Sequence, residues 1–188
     1  MPVHLAIAPD DNSALQRIAA GAAGADLLLT TGGASVGDHD LVREALGASG
    51  LTLDFWTVAM RPGKPLMVGR YKETPMIGLP GNPVSTLVCG LLFAKPAMAK
   101  MSGLAEVFEP PIRARLKIPL EANDRRQDYL RATLSRAADG TLEAEPFKKQ
   151  DSSMISLLAR ADCLVIRAPH APPAKSGDWV EILPLGAT

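Results

Sequence analysis

The stretch that most constrains this chain is Asp26–Asp40, DLLLTTGGASVGDHD. Leu27, Leu28 and Leu29 form a short apolar run, the pattern of a parallel strand buried on both faces. Thr30, Thr31, Gly32 and Gly33 close it. Glycines at such a point let backbone N–H groups come close to a ligand. A helix is predicted from about Asp40 to Leu46, with Gly47 as its C′ residue. A glycine turn running into a helix N-terminus suits a phosphate or another oxyanion. Gly32, Gly33, Ser35 and Gly37 are therefore candidate anion contacts. Asp38 and Asp40 add hard carboxylate oxygens, which suit Mg²⁺.

Two further loops share this character. Arg61-Pro62-Gly63-Lys64-Pro65 and Leu79-Pro80-Gly81-Asn82-Pro83-Val84-Ser85 each follow a predicted strand. In an open α/β sheet, loops leaving the carboxyl ends of strands share one edge, and ligands bind there. Arg61 and Lys64 supply cations. Gly63 and Pro65 shape the loop around them.

Composition narrows the classes. Hydrophobic residues make up 47% of 188, enough for a real core. Twenty basic residues balance twenty acidic ones, so net charge points to neither nucleic acid nor a membrane surface, and any anion site is local. The two cysteines, Cys89 and Cys163, stand far apart in apolar runs and read as buried thiols, not a disulfide or metal pair. No Cys/His spacing supports zinc. With no signal peptide and no apolar run of transmembrane length, the expected location is cytoplasmic.

Along the chain, Met1–Ala8 alternates weakly, the pattern of a short strand. Pro9, Asp10, Asp11, Asn12 and Ser13 are turn and N-cap residues before a helical stripe through Leu15, Ile18, Ala19 and Ala22. Leu51–Met60 reads as a strand, and Leu66–Val68 and Met76–Leu79 as two more. Pro83 suits the first turn of a buried helix, which Lys95-Pro96 breaks or kinks. Glu109-Pro110-Pro111 marks a linker. The remainder is mostly β: Ile112–Ile118, a hairpin around Asp139-Gly140, Cys163–Arg167 and Trp179–Leu183, with one short helix at Met154–Arg160. The expected organisation is an α/β domain over 1–105 and a small β-rich domain over 106–188.

TTGGASVGDHD, RPGKP and GLPGNPVS, in this order and at these intervals, resemble the molybdopterin molybdenumtransferase family, which includes bacterial MoeA and the E domain of gephyrin. The likeness spans roughly residues 25–103 and continues more weakly beyond. It implies a three-layer α/β/α, mostly parallel sheet, similar to the molybdopterin-binding MoaB/Mog fold, followed by a barrel-like β domain. It implies insertion of molybdate into adenylylated molybdopterin, with Mg²⁺ assisting and AMP released. It places Asp40 in metal binding and catalysis, with Asp38 as a weaker metal ligand, and Lys64 and Pro65 in a molybdate pocket. Arg61 stands where relatives often carry lysine. Arg131 matches an arginine of the C-terminal domain, Ser85 a serine after the LPGNP turn, and either Ser152 or Ser153 a further serine. Relatives have two preceding domains and an opening strand and helix with a TGDEL-like motif. The chain thus resembles a C-terminal portion, inactive alone, of a parent that forms a homodimer.

Simpler roles exist for each group. Asp40 could cap its helix, Lys64 could be a solvated lysine, Arg131 could be one charge on an exposed strand face, and Ser152 and Ser153 could be caps. Two other functions stand beside the first: a pterin adenylyltransferase on the same α/β fold, and a non-catalytic binding or scaffold domain.

Overall fold

The computed structural model describes residues 1–33 and 41–186; Ser35, Gly37, Asp38 and Asp40 lie outside the described residues. The chain divides into two compact units. One is Met1–Val58 with Gly63–Val107, the other Ala59–Pro62 with Phe108–Thr188.

The first unit begins without the expected strand. Residues 1–8 have no ladder partner among the described residues, and Met1, Val3 and Ile7 are exposed. Alternation alone does not make a strand when no neighbour completes its backbone hydrogen bonds. Helix α1 (Asn12–Ala19) follows. Its N-cap is Asp11, whose carboxylate accepts from the N–H groups of Ser13 and Ala14 and satisfies donors the helix cannot. Next come β1 (Leu28–Thr31), α2 (Leu41–Gly47) and β2 (Leu51–Thr57). Gly47 is the last helical residue, not a left-handed C′ residue; the positive φ falls at Gly50, just before β2.

Met60, expected to end the strand begun at Leu51, instead joins Arg61, expected in a loop, to form β3 (Met60–Arg61), which pairs in the second unit. Strands β4 (Pro65–Tyr71) and β5 (Thr74–Leu79) make an antiparallel hairpin. The sheet order is β1-β5-β4-β2. The expectation of a mostly parallel sheet is met by β1 and β5 alone. The β4 strand runs antiparallel to both neighbours, so this α/β sheet is mixed. At its edge β1 pairs only with β5; Leu28 is buried but Leu29 is 41% exposed, which corrects the reading of a strand covered on both faces.

Ala19, Ala22, Leu28, Val42, Leu46, Leu51, Met67, Tyr71 and Met76 form one core cluster beneath α1 and α2. Each large side chain fully buried there stabilises by about 1.5–3 kcal/mol. Leu66 and Ile77, on the opposite pleat, are buried as well.

Helix α3 (Pro83–Cys89) starts with Pro83 at its first turn, where the missing N–H would have no partner anyway. A wider π turn, Gly90–Ala94, leads into α4 (Lys95–Met101). Pro96 cannot donate back into the preceding turn, and the helix accommodates it here without ending. By length and composition the continuous helix Pro83–Met101 could cross a membrane, contrary to the sequence expectation that no such stretch exists. Its inner residues Val84, Val88 and Cys89 are fully buried.

The second unit holds β6 (Ile112–Leu116), β7 (Gln127–Arg136), β8 (Leu142–Pro146), the short α5 (Ile155–Ala159), β9 (Cys163–Arg167) and β10 (Trp179–Pro184). The order is β3-β7-β8-β6-β10-β9, and β7 also pairs with β9, so five strands close on themselves. Closure leaves those strands without an open edge. Ala114, Leu116, Ala132, Ala144, Cys163, Val165, Val180 and Ile182 fill the interior. The β7–β8 turn carries Gly140 at φ +83°, as the Asp139-Gly140 pair predicts.

Candidate functional site

Register fixes where the three loops fall. Thr31 is level with Leu79 at the ends of parallel β1 and β5. Because β4 is antiparallel to β5, its first residue, Pro65, lies beyond the Met67–Gly78 pair at that same end. The turns after β1, before β4 and after β5 therefore share one edge of the first unit's sheet.

Two of them touch through their backbones. The Gly32 N–H donates to the Leu79 carbonyl at 3.3 Å. A Cβ placed on Gly81 would sit 3.2 Å from Gly32 Cα, and one on Gly33 would sit 2.3 Å from Val42 Cγ2. Gly33 also has φ +69°. Side chains would push these turns apart; glycine lets them abut.

The third turn is tied in by weaker groups. The Val58 N–H donates to the Lys64 carbonyl at 3.0 Å, and Cys89 Sγ donates to the Gly63 carbonyl at 3.7 Å. Burial pushes the Cys89 thiol up to about 12, so it stays protonated and can donate. Lys64 is exposed. At the start of α3, Thr86 Oγ1 donates to the carbonyls of Pro80 and Asn82. The side-chain oxygens Thr30 Oγ1 and Asn82 Oδ1 are buried at this edge without a hydrogen-bond partner among the described residues. Ser85 is 6% exposed, so its hydroxyl is not presented to solvent.

The fate of Arg61 differs from that of Lys64. In β3 it is level with Asp128 of β7, whose carboxylate is buried. Arg61 Nε donates to Asp128 Oδ1 at 3.0 Å and Nη2 donates to Asp128 Oδ2. Nη1 reaches Asp124 at 3.4 Å. The hydrogen bond it donates to Asp128 holds the guanidinium's pKa above its ordinary value. A two-pronged pair of this kind is among the stronger polar contacts.

Arg131 is likewise committed. It is 1% exposed, and its Nε, Nη1 and Nη2 donate to Gln150 Oε1, the Met154 carbonyl and the Asp151 carbonyl. Desolvation lowers its pKa, partly offset by the negative charge of Asp151. The simpler alternative, a charge on an exposed strand face, is excluded: Arg131 is buried and supports residues 150–154. Within that loop, Ser153 N–H and Oγ both donate to Asp151 Oδ1, each at 2.8 Å, while Ser152 makes no hydrogen bond among the described residues. Gln150, Asp128 and Asn123 carry much of this scaffolding, yet no sequence motif singles them out. Among the described residues no three His, Cys, Asp or Glu side chains gather for a metal.

A layered α/β unit with glycine turns and an exposed lysine at one sheet edge, followed by a small closed β unit, defines a class: an α/β domain with a β-rich companion. Residues 1–100 match the family described as "Probable molybdopterin binding domain", and residues 113–185 match the MoeA C-terminal region, domain IV. The chain belongs to this molybdopterin-binding family and has the organisation of the C-terminal portion of molybdopterin molybdenumtransferases.

It is 30% identical over 184 residues to the molybdopterin molybdenumtransferase of Haemophilus influenzae, covering 97% of this chain and 45% of that protein. It is 36% identical over 147 residues to that of Nostoc, covering 76% and 34%. The structure is similar to the molybdopterin biosynthesis MoeA protein of Pyrococcus horikosii, with TM-score 0.76, 25% identity, and coverage of 98% of this chain and 44% of that one. The chain thus spans less than half the length of these relatives.

Proposed function

We propose that this chain carries part of the site at which a longer parent inserts molybdate into adenylylated molybdopterin, releasing AMP. The single observation that carries the reading is the convergence of three turns on one sheet edge, with Gly32 and Gly81 in backbone contact. Molybdate is a tetrahedral dianion, and the pterin substrate carries a pyrophosphate. Both call for N–H donors and a fixed cation. Gly32 and Gly33 leave their backbones open to approach, while Gly63 is buried and shapes the turn that carries Lys64. Lys64, between Pro62 and Pro65, supplies charge on a stiffened loop, so less order is imposed on binding.

Asp40, with Asp38, would hold Mg²⁺; two carboxylates are the hard oxygen donors that ion takes. Bound there, Mg²⁺ would polarise the pyrophosphate. In the β-rich unit, Ser152 is the better substrate contact of the two serines, because Ser153 already donates to Asp151. Arg61 and Arg131 are supports in this reading, since their guanidinium donors are engaged within the protein. Ser85 acts through helix packing. The parent is expected to act as a cytoplasmic homodimer.

The test is AMP release by the parent protein given adenylylated molybdopterin, molybdate and Mg²⁺. Lys64→Ala should weaken molybdate binding about tenfold, roughly the loss of one exposed charged contact. Asp40→Asn should abolish release while the fold melts as before. A folded parent that releases no AMP overturns the reading.

A further inference from the structure

We propose that Gln150 is a positioning residue that holds the 150–154 loop so that Ser152 stays presented; its functional meaning rests on Ser152 contacting substrate, as proposed above. The β7–β8 ladder pairs Ala132 with Pro146. One residue further on, the Phe147 N–H still donates to the Arg131 carbonyl at 3.0 Å. The return bond, from the Arg131 N–H to the Phe147 carbonyl, is replaced. Gln150 inserts its amide there. Its Oε1 accepts from the Arg131 N–H at 3.0 Å, and its Nε2 donates to the Phe147 carbonyl at 2.8 Å.

The same amide makes two more contacts. Nε2 also donates to the Arg131 carbonyl at 3.0 Å, and Oε1 also accepts from Arg131 Nε at 3.3 Å. The full hydrogen-bonding capacity of a carboxamide is thereby used. Arg131 then completes the lock, bonding the Asp151 and Met154 carbonyls on either side of Ser152 and Ser153. A rung of the sheet is thus converted into a side-chain clasp. The chain can leave β8 and carry Ser152 out of the ladder without orphaning a buried donor. No other neutral side chain brings a donor and an acceptor on one plane at this reach. Glutamate would keep the acceptor and turn the donor into a second acceptor, facing two carbonyls.

The experiment uses the full chain with molybdate alone as probe. Wild type, Gln150→Ala, Ser152→Ala and the double variant are compared by calorimetric titration, alongside amide hydrogen exchange. If Gln150 acts through Ser152, both single variants weaken molybdate binding by a similar several-fold factor, and the double variant is no weaker than Ser152→Ala. Independent, multiplying losses overturn the proposal. Exchange in Gln150→Ala should rise at least tenfold at Ser153 and Met154, whose N–H groups donate to Asp151, while β9 and β10 keep their protection. Uniform loosening of the whole unit, or no change in the loop, overturns it too. Gln150→Glu should behave like Gln150→Ala; full retention by Gln150→Glu counts against the clasp. Should wild type fail to bind molybdate, the substrate reading fails, and the exchange arm alone decides the clasp.

Discussion

Replacing Arg61 tests whether that cation belongs to the fold or to an anion site. Asp128 is 5% exposed, and Arg61 is the partner that engages both its oxygens. Breaking a fully buried pair by deleting one member costs about 3–5 kcal/mol, because an uncompensated charge stays behind. Here the Arg61 side chain is 46% exposed, so water screens part of the interaction. The loss expected from Arg61→Ala is nearer the about 1.5–3 kcal/mol of charged hydrogen bonds. Arg61→Lys keeps the charge but loses the two-pronged geometry, and should fall about midway.

Trp179 lies in the second unit and Trp56 in the first. In a Trp56→Phe background, urea unfolding followed by Trp179 fluorescence therefore reports the unit that holds β3. With a slope of about 1 kcal/mol per M for a unit this small, the midpoint should fall by about 1.5–3 M. Arg61→Leu with Asp128→Leu should recover most of the loss, since an apolar pair leaves nothing unsatisfied. A midpoint shift below about 0.5 M, together with a tenfold loss of molybdate affinity, would refute this assignment and return Arg61 to the anion site.

Two other perturbations are informative. Gly33→Ala combines a left-handed φ with a Cβ 2.3 Å from Val42 Cγ2, and the backbone term alone is about 1–2 kcal/mol. The melting temperature of the first unit should drop by about 5–10 °C by calorimetry, part of it recovered by Val42→Ala; an unchanged melting temperature would show that the turn is not as tight as described. The Asp151 carboxyl lies below its ordinary value of 3.8, chiefly through the Ser153 N–H and then the Ser153 hydroxyl. A depressed carboxyl stabilises fully above its unfolded value and loses that contribution as pH falls through the folded one. The Asp151–Ser153 turn should therefore hold at pH 5 and open only as pH falls below the ordinary value of 3.8, read by carboxyl NMR titration; a midpoint at or above 3.8 would contradict it.

What the sequence made legible was local. Asp11 before a helical stripe, Pro83 at a helix start and Asp139-Gly140 between apolar runs carry their physics within a few residues, and each appears as read. What it concealed depends on a distant neighbour. Periodicity marks Leu27–Leu29 as strand but cannot say that β1 ends at a sheet edge. A β-rich run from Leu51 to Met60 reads as one strand, although its last residue pairs in a different unit. Gln150 has no motif at all, because a rung made by a side chain leaves no period in the sequence.

The same distinction explains the cations. Arg61 and Lys64 sit three residues apart in one loop and would count equally toward an anion site. Strand register separates them: Arg61 enters β3 opposite a buried carboxylate, while Lys64 precedes β4 with its side chain in solvent. Arg131 and Ser152 divide in the same way, the arginine buried under the carbonyls of the loop and the serine left without a partner among the described residues. A charged residue near a binding loop contributes to the ligand only with the donors its own fold leaves unspent. By that measure Arg61 and Arg131 spend their donors inside the β-rich unit, on Asp128 and on the 150–154 loop, while among the described residues Lys64 and Ser152 keep theirs.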